Sequence, residues 1–492
     1  MRIWFRYFWL LVAIVVGVVL EQAGMHVASV TGVSAFAKLH LFRGGSVHAT
    51  SDTYPFKGTP LYTAALHGSV DVARLLVQEG ADVNELTNGK TPLYAAAFGR
   101  YVDMVVFLLQ SGASVDLSGD GKTPLIAAAV NTHPDVIHIL LQHGADPNLK
   151  GDFGLTPLMA AVLQPSGSNT LYTLRALVEA GALVDVKGIY DFNALFVAVL
   201  NDEKDVVAFL IANHADLDLQ CQEGKTALHE AVLLDRIEIV SLLLHAGAKT
   251  DIVDAYEQTP LLLAVERNHL EIVTLLLNSE VSVNQQSPEG YTSIFLSCSL
   301  GYLEMLSMLL QRGASVVEEN PHTGRTPLMM AAALDRIQVL EKLLHFGAKL
   351  DHIGKRGETA LIMAAVSGKV AAIEFLLRKG AKVDLVVNHK TALLAACYQG
   401  TEATISMLLS KDASVSLETE NGYTPLILSS IKSLRATVVK ILVQKRANVF
   451  QTNKFVRGLS AGTVDWMFAN FFLLLLFLFF LCRAKRFFSI LC

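Results

Sequence analysis

Histidine and cysteine are the side chains best able to do chemistry near neutral pH, and this chain of 492 residues carries 15 of the first and 5 of the second. Paired at metal-ligand or redox spacings they would mark a zinc protease, a zinc knuckle or a dithiol centre. No His-Glu-x-x-His or Cys-x-x-Cys spacing occurs, and no GxxxxGK loop is present to cradle a phosphate. The histidines are scattered singly. Cys298 and Cys397 hold equivalent places in the pattern below, three units apart. With helices packed about 8–10 Å apart they are separated by over roughly 25 Å, beyond disulfide reach. Cys221 stands alone. The sequence therefore reads as a non-enzyme with no cofactor, no metal and no small-molecule substrate. A net charge of −5 and a pI near 6.3 give no basic footprint, which argues against nucleic acid as a partner.

The residues that recur in register are structural. A Thr-Pro-Leu triplet or a variant of it appears at Thr59, Thr91, Thr123, Thr156, Asn193, Thr226, Thr259, Thr292, Thr326, Thr359, Thr391 and Thr424, about 33 residues apart. A period of that length marks a solenoid, whose units bury their apolar faces against their neighbours. Threonine suits a helix N-cap, and the proline after it suits the first helical position. Small pairs follow, such as Ala64-Ala65, Ala96-Ala97 and Ala364-Ala365, and allow a neighbouring helix to approach closely. A turn held by Gly68, Gly301, Gly368 and Gly400, or by Asp202, Asp235, Asn268 and Asp335, predicts left-handed backbone. A second apolar helix comes next, for example Val72 to Leu76, and stops at a Gly-Ala pair such as 80–81, 112–113 or 247–248.

This order of parts resembles the ankyrin repeat, and the resemblance covers roughly residues 34 to 456. It implies an all-α solenoid of helix-turn-helix units joined by short β-hairpin loops, acting through bound protein partners. The histidine that the family places after Thr-Pro-Leu is matched by His229; Tyr62, Tyr94, Ile126 and other apolar residues stand at that place elsewhere. Residues 34–58 read as a worn N-capping half repeat and 59–456 as twelve repeats. Four extra residues separate Thr156 from Asn193, and the polar cluster at 164–169 predicts a lengthened surface loop there.

Both ends of the sequence are apolar. Residues 1–33 include a 14-residue apolar run at 7–20 behind Arg2 and Arg6, the pattern of a secretory signal or a signal anchor. The nearest small-x-small cleavage site is Ala35-Phe36-Ala37. After a linker at 457–465, residues 466–482 hold no charge and no amphipathic pattern, which predicts a transmembrane helix. A basic tail, 483–492, follows; Cys482 and Cys492 beside it are candidate S-acylation sites. The mean hydropathy of +0.42 agrees with such segments. The length of 466–482 suits an endoplasmic reticulum or other secretory-pathway membrane. Basic residues at both ends favour a lumenal repeat domain by the charge rule. The habit of the family favours a cytosolic one, so the topology stays open.

The resemblance places the ligand groove along the hairpin tips and the exposed edge of each first helix, five residues after the leucine of each triplet. In this chain that edge reads Leu66, Phe98, Val130, Leu163, Leu200, Leu233 (with Leu234 next to it), Glu266, Ser299, Ala333, Val366, Tyr398 and Ile431. An apolar stripe of this kind predicts a concave surface for an amphipathic helix or extended peptide; the alternative is that these side chains only fill the gaps between helices. The reading that results is a membrane-anchored scaffold for protein–protein interaction. A secreted or surface-exposed effector acting on a foreign partner, and a regulatory subunit recruiting an enzyme, are the alternatives.

Overall fold

The computed structural model describes residues 25–43, 45–48, 58–165, 167–399, 402–431, 436–449, 451 and 453. The apolar run 7–20, the linker, the segment 466–482, the tail with Cys482 and Cys492, and Gly400 lie outside them. Among the described residues no helix is long and apolar enough to cross a membrane.

Every threonine of the repeated triplet caps a helix. Its hydroxyl accepts the amide three residues on, at Tyr62, Tyr94, Ile126, Met159, His229, Leu262, Phe295, Met329, Ile362, Leu394 and Ile427, and Asn193 does the same for Phe196 at 2.8 Å. Loss of the family's histidine at most units therefore leaves the helix starts intact. The interhelical turn is left-handed where expected: φ is +70° at Gly68, +62° at Asp202, +57° at Asp235 and +82° at Gly301. The same turn also occurs at Arg100 (φ +58°) and Thr132 (φ +49°), residue types that do not announce it.

Two compact units result, Met1–Ala264 with Asn278–Val281, and Val265–Leu277 with Ser282–Cys492. In the first, α1 (residues 25–31) and α2 (Ser34–Phe42) precede the pairs α3 (Pro60–Leu66) and α4 (Val70–Gln78), α5 (Pro92–Phe98) and α6 (Val102–Gln110), α7 (Pro124–Val130) and α8 (Pro134–Gln142). They continue with α9 (Pro157–Val162) and α10 (Ser168–Glu179), α11 (Ala194–Leu200) and α12 (Lys204–Ala212), α13 (Ala227–Leu233) and α14 (Ile237–His245). First helices stack on first helices from α3 through α13. Their contact is close because Ala64, Ala65, Ala96, Ala97, Ala128 and Ala129 leave no bulk between them, all fully buried. Second helices bury one face at i and i+4, as with Val72 and Leu76 or Val136 and Leu140. Each such leucine contributes about 1.5–3 kcal/mol by leaving water.

The division falls at α15 (Pro260–Glu266) and α16 (Leu270–Asn278). The second unit repeats the scheme in α17 (Ser293–Leu300) and α18 (Leu303–Gln311), α19 (Pro327–Ala333) and α20 (Ile337–His345), α21 (Ala360–Val366) and α22 (Val370–Arg378). It ends with α23 (Ala392–Gln399) and α24 (Glu402–Ser410), α25 (Pro425–Ile431) and α26 (Ala436–Gln444).

Side chains just after the second helices lace neighbouring loops together. Asn84 accepts the Ser114 amide at 2.8 Å and donates to the Gly112 carbonyl. Asn148 likewise holds Leu183 and Gly181, and Asp116, Asp185 and Asp218 accept the amides of Asp146, Asp216 and Lys249. In the second unit Asn284, Asp351 and Asp384 do so for Ser315, Lys382 and Ser414.

Three expectations need correction. The β-hairpins contain no strands among the described residues, only the isolated bridges Thr87–Lys90 and Val387–Lys390. Helices α5 and α23 begin two residues after Lys90 and Lys390, which leaves no room for a longer ladder. The loop expected over 164–169 is shorter than that: Gln164, Pro165 and Gly167 lie outside helices, but Ser168 and Asn169 already belong to α10, which has 12 residues against 9 in α4, α6 and α8. The Thr170 hydroxyl fastens its start by donating to the Pro165 carbonyl at 2.9 Å.

The third correction concerns residues 25–33, grouped above with the N-terminal leader. They begin a complete helix pair. Met25 and Ala28 are buried like Leu61 and Ala64, and Gly32 turns at φ +71° as Gly68 does at +70°. His26 then occupies the histidine position of the repeat. Its Nε2 lies 2.9 Å from the carbonyl of Gly58, the residue before Thr59, just as His229 Nε2 lies 3.1 Å from that of Gln258, the residue before Thr259. His229 is thus matched by a second such histidine.

Candidate protein-binding surface

Because α3, α5, α7, α9, α11 and α13 stack side by side, their C-terminal residues form a row in the first unit. Phe98 is 45% exposed and stacks on Tyr94, with ring centroids 6.2 Å apart. Leu163 is 48% exposed, and Leu66, Val130, Leu200 and Leu233 are half-buried, with Leu234 exposed beside the last. No member of the row is fully buried. In the second unit the sequence of edge residues starts with exposed Glu266 and half-buried Ser299 and Ala333. Val366, Tyr398 and Ile431 then follow, all exposed. The edge is apolar throughout the first unit and only in the last three pairs of the second.

The loop tips add residues that the triplet pattern does not single out. Phe153, Tyr190 and Tyr256 are largely exposed, where other tips carry Asn88-Gly89 or Asp120-Gly121. Phe153 and Tyr190 sit at φ +57°, a conformation that bulky side chains rarely adopt. An aromatic residue in place of the usual Asn-Gly or Asp-Gly is the signal that would have found them.

The titratable groups give this surface no catalytic character. Burial lowers the pKa of His229, of His26 and of His133, whose Nε2 contacts the Phe98 carbonyl. His229 Nδ1 accepts the Thr226 amide, so the network leaves the ring proton on Nε2 for Gln258. Burial outweighs in each case the opposite pull of the carbonyl that the ring meets, at Gln258, Gly58 and Phe98. Burial pushes the Cys397 thiol up to about 11 and raises that of Cys298 as well, which keeps both unreactive. No group of three or more His, Cys, Asp or Glu able to hold a metal is found among the described residues. One Gly-x-Ser-x-Gly spacing, Gly458 to Gly462, lies outside them.

Family models for ankyrin repeats, three copies each, match residues 25–118, 111–188, 167–254, 246–320, 316–387 and 383–453. The chain belongs to the ankyrin repeat family. The first match opens at residue 25, the first described residue of α1, and the last runs past α26. No curated protein matches the chain. Ankyrin repeats are interaction modules, and the partners they imply here are proteins. Nothing in the described residues adds an enzymatic activity to that role.

Proposed function

We propose that this ankyrin protein is a membrane-anchored scaffold that holds a protein partner along its apolar edge. The observation that carries the reading is the row from Leu66 to Leu233, partly or fully open to solvent at each of six consecutive first helices. A solvated edge of this length normally mixes polar residues in, and an apolar one favours the apolar face of an amphipathic helix or an extended segment. Leu163, Phe98 and Leu234 are its most accessible members in the first unit, and Val366, Tyr398 and Ile431 present the same chemistry in the second.

Membrane attachment is inferred from the sequence of 7–20 and 466–482 alone. Cleavage at Ala35-Phe36-Ala37 is disfavoured by the fold, since it would remove α1 and with it the buried Met25 and Ala28. The leader is therefore retained or cut before residue 25.

Two measurements test this. Proximity labelling from the repeat domain in cells, with wild type and with Phe98→Asp/Leu234→Asp, should show a labelled protein that the variant loses while its unfolding midpoint stays within a few degrees. Identical labelling by a folded variant removes the edge from the proposal. Alkaline extraction of membranes should leave the full chain in the pellet, and release into the supernatant removes the anchor.

A further inference from the structure

The outer helices of the first unit turn polar side chains to solvent: Asp71, Arg74 and Gln78 on α4, Asp103 and Gln110 on α6. Helix α2 does not. Val33 at its N-cap, then Phe36, Leu39 and Phe42, are exposed at every third residue, Phe42 at 90%. The register that sets Gly32 against Gly68 sets Phe36 against Val72, which is fully buried, and Phe42 against Gln78. A terminal repeat of a solenoid ordinarily carries a polar outer face, which keeps it soluble. This one presents an apolar stripe, with no helix pair before it among the described residues.

Charge around the stripe indicates what covers it. Lys38 and Arg43 are exposed beside it, and no Asp or Glu occurs between Gln22 and Ser51. Phe and Leu on one face, cations at its border and no anion within the segment itself are the features of a helix lying in the headgroup layer of an anionic bilayer; the nearest exposed carboxylates, Asp71 and Glu79, belong to the neighbouring α4 and its end. Only four residues, 21–24, separate the apolar run 7–20 from α1, a reach of at most about 14 Å. We propose that α2 docks on an anionic lipid surface, with Phe36, Leu39 and Phe42 reaching the acyl boundary and Lys38 and Arg43 meeting the headgroups. The proposal rests on the membrane attachment inferred above and adds to it a second, peripheral contact made by the fold itself.

The test uses the full chain with Cys482 and Cys492 replaced by Ser and a bimane probe on Phe42→Cys, or on Gln142→Cys of α8 as the control. Each protein is mixed with vesicles of equal parts phosphatidylcholine and phosphatidylserine whose acyl chains carry bromine. The probe at 42 should shift to the blue and lose most of its emission, while the probe at 142 is unchanged. Adding Lys38→Glu/Arg43→Glu should abolish the quenching at 42 without detaching the chain. A vesicle-bound chain whose probe at 42 is quenched no more than the one at 142 overturns the lipid contact and leaves the anchor standing. A chain that does not bind the vesicles overturns both. A probe at 42 already shielded without vesicles, in a protein that runs as a dimer, assigns the stripe to a second copy and overturns the proposal.

Discussion

At the scale of single residues, His229 and His26 show how one side chain can join two repeats. The His229 ring accepts from the helix start of its own unit and donates to the loop that opens the next. Burial is what makes the ring resist charge, and protonation would in addition turn Nδ1 from acceptor to donor against the Thr226 amide. A histidine whose folded pKa is depressed leaves the unfolded chain binding more protons below its ordinary value near 6.5. Its contribution is complete above that pH and is lost as pH falls beneath it. Denaturant unfolding should therefore show stability dropping on acidification through this range, and His229→Gln should make the drop shallower. An equal slope in the variant would show that His229 does not carry the effect. His229 was legible because Thr226-Ala227-Leu228 precedes it. His26 was not, because Ala23-Gly24-Met25 stands in place of the triplet, and the surviving signal was the small pair Ala28-Ser29 four residues ahead of Gly32.

At the scale of the helix pair, helix starts, small-residue contacts and glycine stops could be read from the sequence because each depends on a residue type at a fixed offset. Local strain could not. The turn between α7 and α8 places β-branched Thr132 at φ +49°, where the matching turn of the preceding α3–α4 pair uses Gly68. Left-handed geometry costs a branched side chain about 1–2 kcal/mol, partly offset in a glycine variant by the greater freedom of its unfolded chain. Thr132→Gly should accordingly raise stability by about 0.5–1 kcal/mol in denaturant melts. A loss of stability there would mean that the threonine side chain has a compensating contact. The insertion in the fourth unit was legible as a loop, but its end was not, since Ser168 and Asn169 resemble loop residues yet begin α10. Both are exposed, and the first turn is fastened by the buried Thr170, whose hydroxyl donates to the Pro165 carbonyl.

At the scale of the whole molecule, the family and the extent of the repeats were legible almost to their ends, since a solenoid writes its period into the sequence wherever its core recurs. The N-terminal boundary was not, because no Thr-Pro-Leu triplet follows the short polar break Glu21-Gln22, where Ala23-Gly24-Met25 stands instead. Deleting residues 1–24 should leave the unfolding midpoint of the repeats unchanged, whereas deleting 1–33 should lower it by removing Met25 and Ala28 from the face they cover. Equal midpoints would place the start of the folded body after residue 33. The amide and carboxylate side chains from Asn84 to Asp218 tie each loop only to the one beyond it, so a tug along the first unit passes through these links in series. Under tension the unit should yield as a ratcheting spring, paying out roughly 100 Å of slack for each repeat of about 33 residues that lets go. Optical tweezers should record that staircase, and a single abrupt rip would mean that the links fail together.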